Sequence, residues 1–130
     1  MIKETLVTKK DYRDFNKVKE FYKKIVENIK TSDNLTDICC GNGMLGFYCL
    51  EKGLVEELEF IDLKRTNRFN KLSNVVDSKK CKFTNKDIYQ PTPIISNWII
   101  GIHACNSLTD RVIELAIEQE KSFAIMSCCH

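Results

Sequence analysis

The run Asp37-Ile38-Cys39-Cys40-Gly41-Asn42-Gly43 puts an acid, two thiols and two glycines into one short stretch. Glycines at a turn permit positive φ and let a ligand approach the backbone closely. A helix that begins just after such a turn offers the N–H groups of its first turn. Asp62 stands nineteen residues beyond Gly43. An acid about twenty residues past a glycine turn is placed to accept hydrogen bonds from ribose hydroxyls. Asp87-Ile88 follows later. A carboxylate there accepts from an exocyclic amine such as adenine's, and the Ile88 N–H donates to a ring nitrogen. Each feature alone has a plain structural reading: a tight turn, a helix N-cap aspartate, a loop aspartate ahead of a proline turn. Three in this order, each at the carboxyl end of a strand, carry more than any one of them.

That reading requires strands to deliver those residues to one edge. Residues 9–30 carry Tyr12, Phe15, Val18, Tyr22, Ile25 and Ile29 at spacings of three and four, which predicts an amphipathic helix. Thr8 with Asp11 is a capping-box signal at its start. Residues 31–34 break the pattern. A strand is then expected at 35–39, a helix at 44–52 closed by Gly53, and a strand at 58–61 ending at Asp62. A helix follows at 66–76, a strand at 81–84, a loop marked by Pro91 and Pro93, and a strand at 98–102. Ser107 with Asp110 signals a helix running to about Glu120, with Leu108, Val112, Leu115 and Ala116 on its apolar face. A last strand is expected at 122–126. Strands alternating with helices predict an α/β fold: a Rossmann-like three-layer sandwich on a mainly parallel sheet of about five strands. Runs such as Trp98-Ile99-Ile100, which do not alternate, suit strands covered on both faces. We read residues 1–130 as one domain, with an N-terminal helix in 1–32 and the cofactor-binding core in 33–130.

The chain has 130 residues, 43% hydrophobic and 29% charged, enough for a core of its own. A net charge of +2 argues for no nucleic-acid partner by itself, and the lysines of the more basic N-terminal third, Lys3, Lys9, Lys10, Lys17, Lys19, Lys23 and Lys24, read first as a solvated helix face. No apolar run reaches the roughly 18–20 residues of a membrane span, and the charged start is not a secretory signal. The expectation is a cytoplasmic protein without a membrane partner. Seven cysteines, an odd number, then read as reduced thiols rather than a disulfide framework.

The order of these motifs resembles class I S-adenosylmethionine-dependent methyltransferases, over about residues 33–130. Asp37 with Gly41-Asn42-Gly43 is similar to their first motif, Asp62 to the ribose-binding acid and Asp87-Ile88 to the adenine-binding loop. The resemblance implies S-adenosyl-L-methionine as cofactor, held by Asp37, Cys39, Gly41, Asn42, Gly43, Asp62, Asp87, Ile88 and His103. Cys-Cys-Gly-Asn-Gly does not fit G-x-G-x-x-G, which speaks against a nicotinamide dinucleotide.

A narrower resemblance lies in His103-Ala104-Cys105-Asn106-Ser107-Leu108-Thr109-Asp110 and in Cys128-Cys129-His130. These are similar to the His-Ala-Cys-Gly-x-Leu-Thr-Asp and terminal Cys-Cys-His segments of a methyltransferase subgroup. That subgroup includes methyltransferase-like proteins related to the rRNA adenine dimethylase fold and the glutathione-transferase C-terminal-domain-containing protein. Acceptor-stem tRNA ribose 2′-O-methyltransferases carry similar segments. Asn106 stands where the subgroup has glycine, and asparagine tolerates the left-handed region better than most residues. The resemblance implies RNA as the first acceptor, with protein and small molecules left open. His103 is the candidate base, at the carboxyl end of the fourth strand; its plain reading is a histidine that bonds a loop backbone. No Asn-Pro-Pro-Tyr-type segment follows that strand, so adenine or amide N-methylation is not indicated.

The cysteines offer a rival function. Cys39, Cys40, His103, Cys105, Cys128, Cys129 and His130 would gather along one sheet edge, where thiolates and imidazoles bind Zn²⁺. We assign no metal ligands, because no C-x-x-C pair is present and small buried thiols beneath a cofactor account for the pattern. The alternative is a non-catalytic or truncated module of this fold that binds a partner or a metal through that cluster. The sequence ends after the fifth predicted strand, where the superfamily continues with a helix and an antiparallel hairpin. The expectation is an open sheet edge covered by a homodimer or partner chain, and a poor catalyst when alone.

Overall fold

The computed structural model describes residues 1–30, 33–102 and 107–126. A short 3₁₀ turn at Lys3–Thr5 precedes α1 (Lys9–Ile25). Then come β1 (Leu35–Ile38), α2 (Met44–Glu51), β2 (Leu58–Asp62), α3 (Asn67–Val75) and β3 (Cys81–Asn85). β4 (Trp98–Ile102), α4 (Ser107–Glu118) and β5 (Ser122–Met126) complete the described chain. The five strands form one sheet in the order β3-β2-β1-β4-β5, and every pairing is parallel. The chain leaves β1 in one direction through α2 and α3 and crosses back through residues 86–97 to β4. The order therefore reverses between β1 and β4, the place where open α/β sheets bind ligands.

Side chains on a strand alternate between faces, and here each face has its own core. Leu35, Leu58, Phe60, Ile100 and Ile102 pack with α1, α2 and α3. Ile38, Ile61 and Ile99 pack with α4 and with Ile88 and Ile94 of the loop after β3. The α1–α3 side is aromatic: Phe47 lies 4.6 Å from Phe60 and 4.9 Å from Phe69, which in turn lies 5.1 Å from Phe83. Burying such a ring contributes roughly 1.5–3 kcal/mol, so this cluster is what seats α2 and α3 on the sheet.

Local signals explain the element ends. Thr8 Oγ1 accepts from the Asp11 N–H at 3.0 Å, and Asp11 Oδ2 accepts from the Thr8 N–H at 3.0 Å, closing the capping box. α2 ends with Gly53 at φ +72, its N–H bonding Leu50 O at 3.0 Å while the Leu54 N–H bonds Cys49 O at 3.0 Å. That pair of bonds is a Schellman closure, which needs a left-handed residue.

Three expectations change. α1 stops at Ile25, because the Asn28 N–H turns back to Ile25 O at 3.0 Å and tightens the chain out of the helix. Its buried face contains Phe21 in place of Tyr12, which is 50% exposed. Phe15 and Tyr22 both meet Tyr48 of α2 edge-on, at 5.7 and 5.1 Å, and this contact sets the rotation of the helix. Ser107 lies inside α4 rather than ahead of it, and its hydroxyl accepts from Tyr89 Oη at 3.0 Å. Among the described residues no helix is long and apolar enough to cross a membrane.

Candidate functional site

The turn between β1 and α2 bends through three residues of positive φ: Cys39 at 53°, Gly41 at 56° and Gly43 at 75°. The Cys40 N–H still reaches Ile61 O of β2 at 3.2 Å, and the Gly43 N–H closes on Cys40 O at 2.8 Å. The N-terminus of α2 is largely satisfied by the protein itself, against the expectation of free donors. Asn42 Oδ1 accepts from the Met44 N–H at 2.9 Å, and Asp37 Oδ2 accepts from the Gly46 N–H at 3.0 Å. Asp37 thus caps α2 from inside the sheet.

Gly46 makes that cap reachable. A Cβ there would lie 2.4 Å from a ring carbon of Phe60 and 3.0 Å from Asp37 Oδ2, so only glycine lets the helix ride this close to the strands. Asp37 is 1% exposed, and burial pushes its carboxyl well above the usual range against the opposing pull of the Gly46 N–H. The nearby Asp62 charge pushes the same way.

On the outer side of the turn lies a cavity of about 400 Å³, lined by Cys39, Gly41, Asp62, Leu63, Lys86, Asp87, Ile88, Tyr89 and Leu108. Ligand sites typically span ~300–1,000 Å³. It sits outside the carboxyl ends of β1, β2 and β3. Asp62 Oδ2 accepts from the Gly41 N–H at 2.7 Å and Oδ1 from the Leu63 N–H at 2.6 Å. Asp87 Oδ1 accepts from the Tyr89 N–H at 2.9 Å. An ionised carboxylate has about four acceptor positions. Each acid is therefore pinned by backbone donors and keeps lone pairs for a ligand. The Ile88 N–H has no hydrogen-bond partner among the described residues, while its side chain is buried at 3% exposure. A Cβ at Gly41 would meet nothing within 4 Å.

The structure thus brings together Cys39, Gly41, Asp62, Asp87 and Ile88 on one cavity wall. Asn42, Gly43 and Asp37 do not line it: they hold the turn from behind. His103 lies outside the described residues, as do Cys105, Cys128, Cys129 and His130 of the proposed metal cluster. Burial, with Asp62 and Asp37 nearby, pushes the Cys39 thiol up to about 12. Burial pushes Cys40 higher still. Both thiols are therefore poor nucleophiles at neutral pH, since the thiolate is the reactive form. Among the described residues no three metal-binding side chains converge.

Sequence reasoning missed Leu63, Lys86, Tyr89 and Leu108 on the wall, and Arg111 behind it. Leu63 and Tyr89 are 65% and 51% exposed, large apolar surfaces flanking the two acids. Their adjacency to Asp62 and Asp87 was the available signal. A second concavity, of about 200 Å³, opens at the opposite end of the strands around Thr36, Glu59, Lys80, Lys82 and Ser96. Its polar groups pair with one another or with neighbours outside it: Thr36 with Ser96 at 2.7 Å, Lys82 with Glu59 at 4.0 Å, Glu59 with Thr84 at 2.6 Å and Lys80 with Glu56 at 3.4 Å.

The model of a methyltransferase-domain family matches residues 10–130. The chain belongs to that methyltransferase-domain family. Comparison with curated proteins gives no match. Among solved structures, this methyltransferase domain is similar to a dimethyladenosine transferase from Plasmodium falciparum, with a TM-score of 0.63 and 17% identity, over 83% of this chain and 38% of that one. It is similar to coclaurine N-methyltransferase bound to N-methylheliamine and SAH, with a TM-score of 0.63 and 11% identity, over 90% and 35% of the two chains. It is also similar to the Pyrococcus abyssi tRNA (uracil-54, C5)-methyltransferase in complex with S-adenosyl-L-homocysteine, with a TM-score of 0.62 and 15% identity, over 86% and 28%. The methyltransferase domain described here therefore spans only about a third of the length of these three proteins. At such identities the likeness establishes the Rossmann-like fold.

Proposed function

We propose that the cavity beside Gly41 holds the adenosine part of S-adenosyl-L-methionine and that the chain is a methyltransferase acting on RNA. One observation carries the cofactor reading: two carboxylates held by backbone donors, Asp62 and Asp87, line the same cavity as Ile88, whose N–H has no partner among the described residues. Asp62 accepts from the ribose hydroxyls. Asp87 accepts from the exocyclic amine, and the Ile88 N–H donates to the adjacent ring nitrogen. Leu63, Tyr89 and Leu108 supply the apolar walls for the base. Gly41 leaves open space where any side chain would intrude on the ligand. The bound cofactor supplies an electrophilic methyl group on a sulfonium. Asp37 and Asn42 act earlier, by fixing the turn so that the cavity wall is formed before the ligand arrives, which lowers the ordering cost of binding.

His103, directly after β4 in the chain, is the residue we assign to accept a proton from the acceptor. The RNA assignment draws support from the lysines of α1 and from two of the similar structures, one titled a dimethyladenosine transferase and one a tRNA methyltransferase. Incubation with labelled S-adenosyl-L-methionine and separate pools of RNA, protein and small metabolites tests it. Label in the RNA pool is expected, and its loss in His103→Gln under saturating cofactor supports the role of that residue. Label confined to protein or metabolites overturns the RNA assignment.

A further inference from the structure

We propose that Arg111 is the positioning residue that gives this cavity its selectivity for a 6-aminopurine; the proposal rests on the reading that the cavity holds adenosine. Arg111 does not line the cavity. It stands on α4 behind the loop after β3, with its side chain 15% exposed. Its Nε donates to Ile88 O at 2.7 Å, and Nη2 reaches Gln90 O at 3.5 Å. Nη1 pairs with Glu114, and Glu118 lies 3.9 Å away on the next turn. The two carboxylates fix the fork from one side while the fork fixes two loop carbonyls on the other.

Other bonds tie the loop down on either side of Ile88: the Lys86 N–H to Asp62 O at 2.9 Å, Tyr89 Oη to Ser107 Oγ at 3.0 Å, and the Ile94 N–H and Thr92 O to the Gln119 amide at 2.8 Å each, but none of them is to the Ile88 carbonyl. Residues 86–97 contain no helix or strand. Within the loop the Gln90 N–H bonds Asp87 O at 3.0 Å and the Tyr89 N–H bonds Asp87 Oδ1 at 2.9 Å, which closes a turn but does not orient it against the rest of the molecule. Burial of the Ile88 side chain anchors one point. The contacts from Arg111 add the hold on the Ile88 carbonyl itself. By holding the Ile88 and Gln90 carbonyls on the α4 side, they keep the Asp87 carboxylate and the Ile88 N–H on the cavity side.

Reading a base edge depends on that orientation. A 6-aminopurine offers an amine donor beside an acceptor nitrogen, matching a carboxylate beside an N–H. A 6-oxopurine offers an acceptor beside a donor, so both contacts become unfavourable. A loop free to shift loses the match and the mismatch together. Lysine keeps the charge but lacks the planar fork that binds two carbonyls and a carboxylate at once.

The test is calorimetry with two ligands, S-adenosylhomocysteine and its deaminated analogue S-inosylhomocysteine, on the wild type, Arg111→Lys, Arg111→Met and Leu72→Ala. Leu72 is buried in α3 on the opposite face of the sheet, so its truncation destabilises the fold without touching the loop. The wild type should prefer the amino form by about tenfold or more. Arg111→Lys should lose about tenfold in affinity for the amino form and bring the preference close to unity. Leu72→Ala should keep the wild-type preference, and the lysine variant carries the test if the methionine variant does not fold. A wild-type preference retained in Arg111→Lys, or lost equally in Leu72→Ala, overturns the role of Arg111 alone. A wild type that binds neither ligand overturns the cofactor reading and this proposal with it.

Discussion

The inner side of the turn after β1 is packed solid. A Cβ at Gly43 would lie 2.7 Å from the Phe69 ring and one at Gly46 would lie 2.4 Å from Phe60, while Asp37 is buried against the same helix. On the outer side, a Cβ at Gly41 would meet nothing within 4 Å, and Asp62 and Asp87 face a cavity of about 400 Å³. Residues within one short motif therefore answer to different constraints. The inner ones are committed to seating α2 on the sheet, while the outer ones border open space. A ligand can use only the second set, so the two sets should respond to substitution in opposite ways.

The largest effect should be on stability at the inner side. Gly43→Ala forces a β-carbon into the Phe69 and Phe47 rings at positive φ, and should cost about 3 kcal/mol. Gly41→Ala carries the backbone strain without the clash and should cost about 1 kcal/mol. Urea unfolding of the two variants measures the gap, and equal costs would dissolve the contrast between the sides. Affinity should rank the other way. Gly41→Ala places a methyl group in the cavity and should weaken S-adenosylhomocysteine binding by about tenfold or more. Binding unchanged in Gly41→Ala would mean that no ligand approaches the outer side.

A smaller effect concerns pH. Asp37 holds its proton in the folded state well above the usual carboxyl value of 3.8, because burial disfavours the charge. The unfolded chain releases that proton near the usual value, so folded and unfolded states differ in bound protons above it. The associated stability is fully present below that pH and is lost as pH rises through the folded-state value. Asp37→Asn keeps a carbonyl oxygen for the Gly46 N–H and cannot ionise. Its stability should fall less than that of the wild type between acid and neutral pH, as read by denaturant midpoints across the range. Parallel curves for the two proteins would place the Asp37 charge elsewhere than in a buried cap.

The mildest effect should be chemical. With its thiol pushed up to about 12, Cys39 should alkylate far more slowly at neutral pH than a free cysteine. S-adenosylhomocysteine should slow it further, since Cys39 lines the cavity. Mass spectrometry after iodoacetamide treatment reads the rate, and rapid labelling unaffected by ligand would remove Cys39 from the wall.

Much of this frame was legible in the residues. β4 has the bounds its apolar run predicts, because a strand buried on both faces leaves uninterrupted hydrophobic sequence. The turn at Gly41-Asn42-Gly43 was legible because positive φ restricts residue choice. Two kinds of information were not. The exposure of Tyr12 depends on how Phe15 and Tyr22 meet Tyr48, a contact between helices that periodicity within one helix cannot express. The division of labour among Asp37, Asp62 and Asp87 was hidden for a similar reason. All three are aspartates at strand ends, and only the distance to Gly46 shows that Asp37 turns inward. Arg111 carried no local signal, because its partners Ile88 and Gln90 lie 23 and 21 residues away.

If the outer side of the turn is a nucleoside site, Asp62 is at its heart. Isothermal calorimetry of S-adenosylhomocysteine against the wild type and Asp62→Ala tests it most directly. Saturable one-to-one binding is expected for the wild type, weakened by about tenfold or more in Asp62→Ala, because two ribose hydroxyls lose their acceptor. No heat at millimolar ligand, or equal affinity in the two proteins, would contradict it.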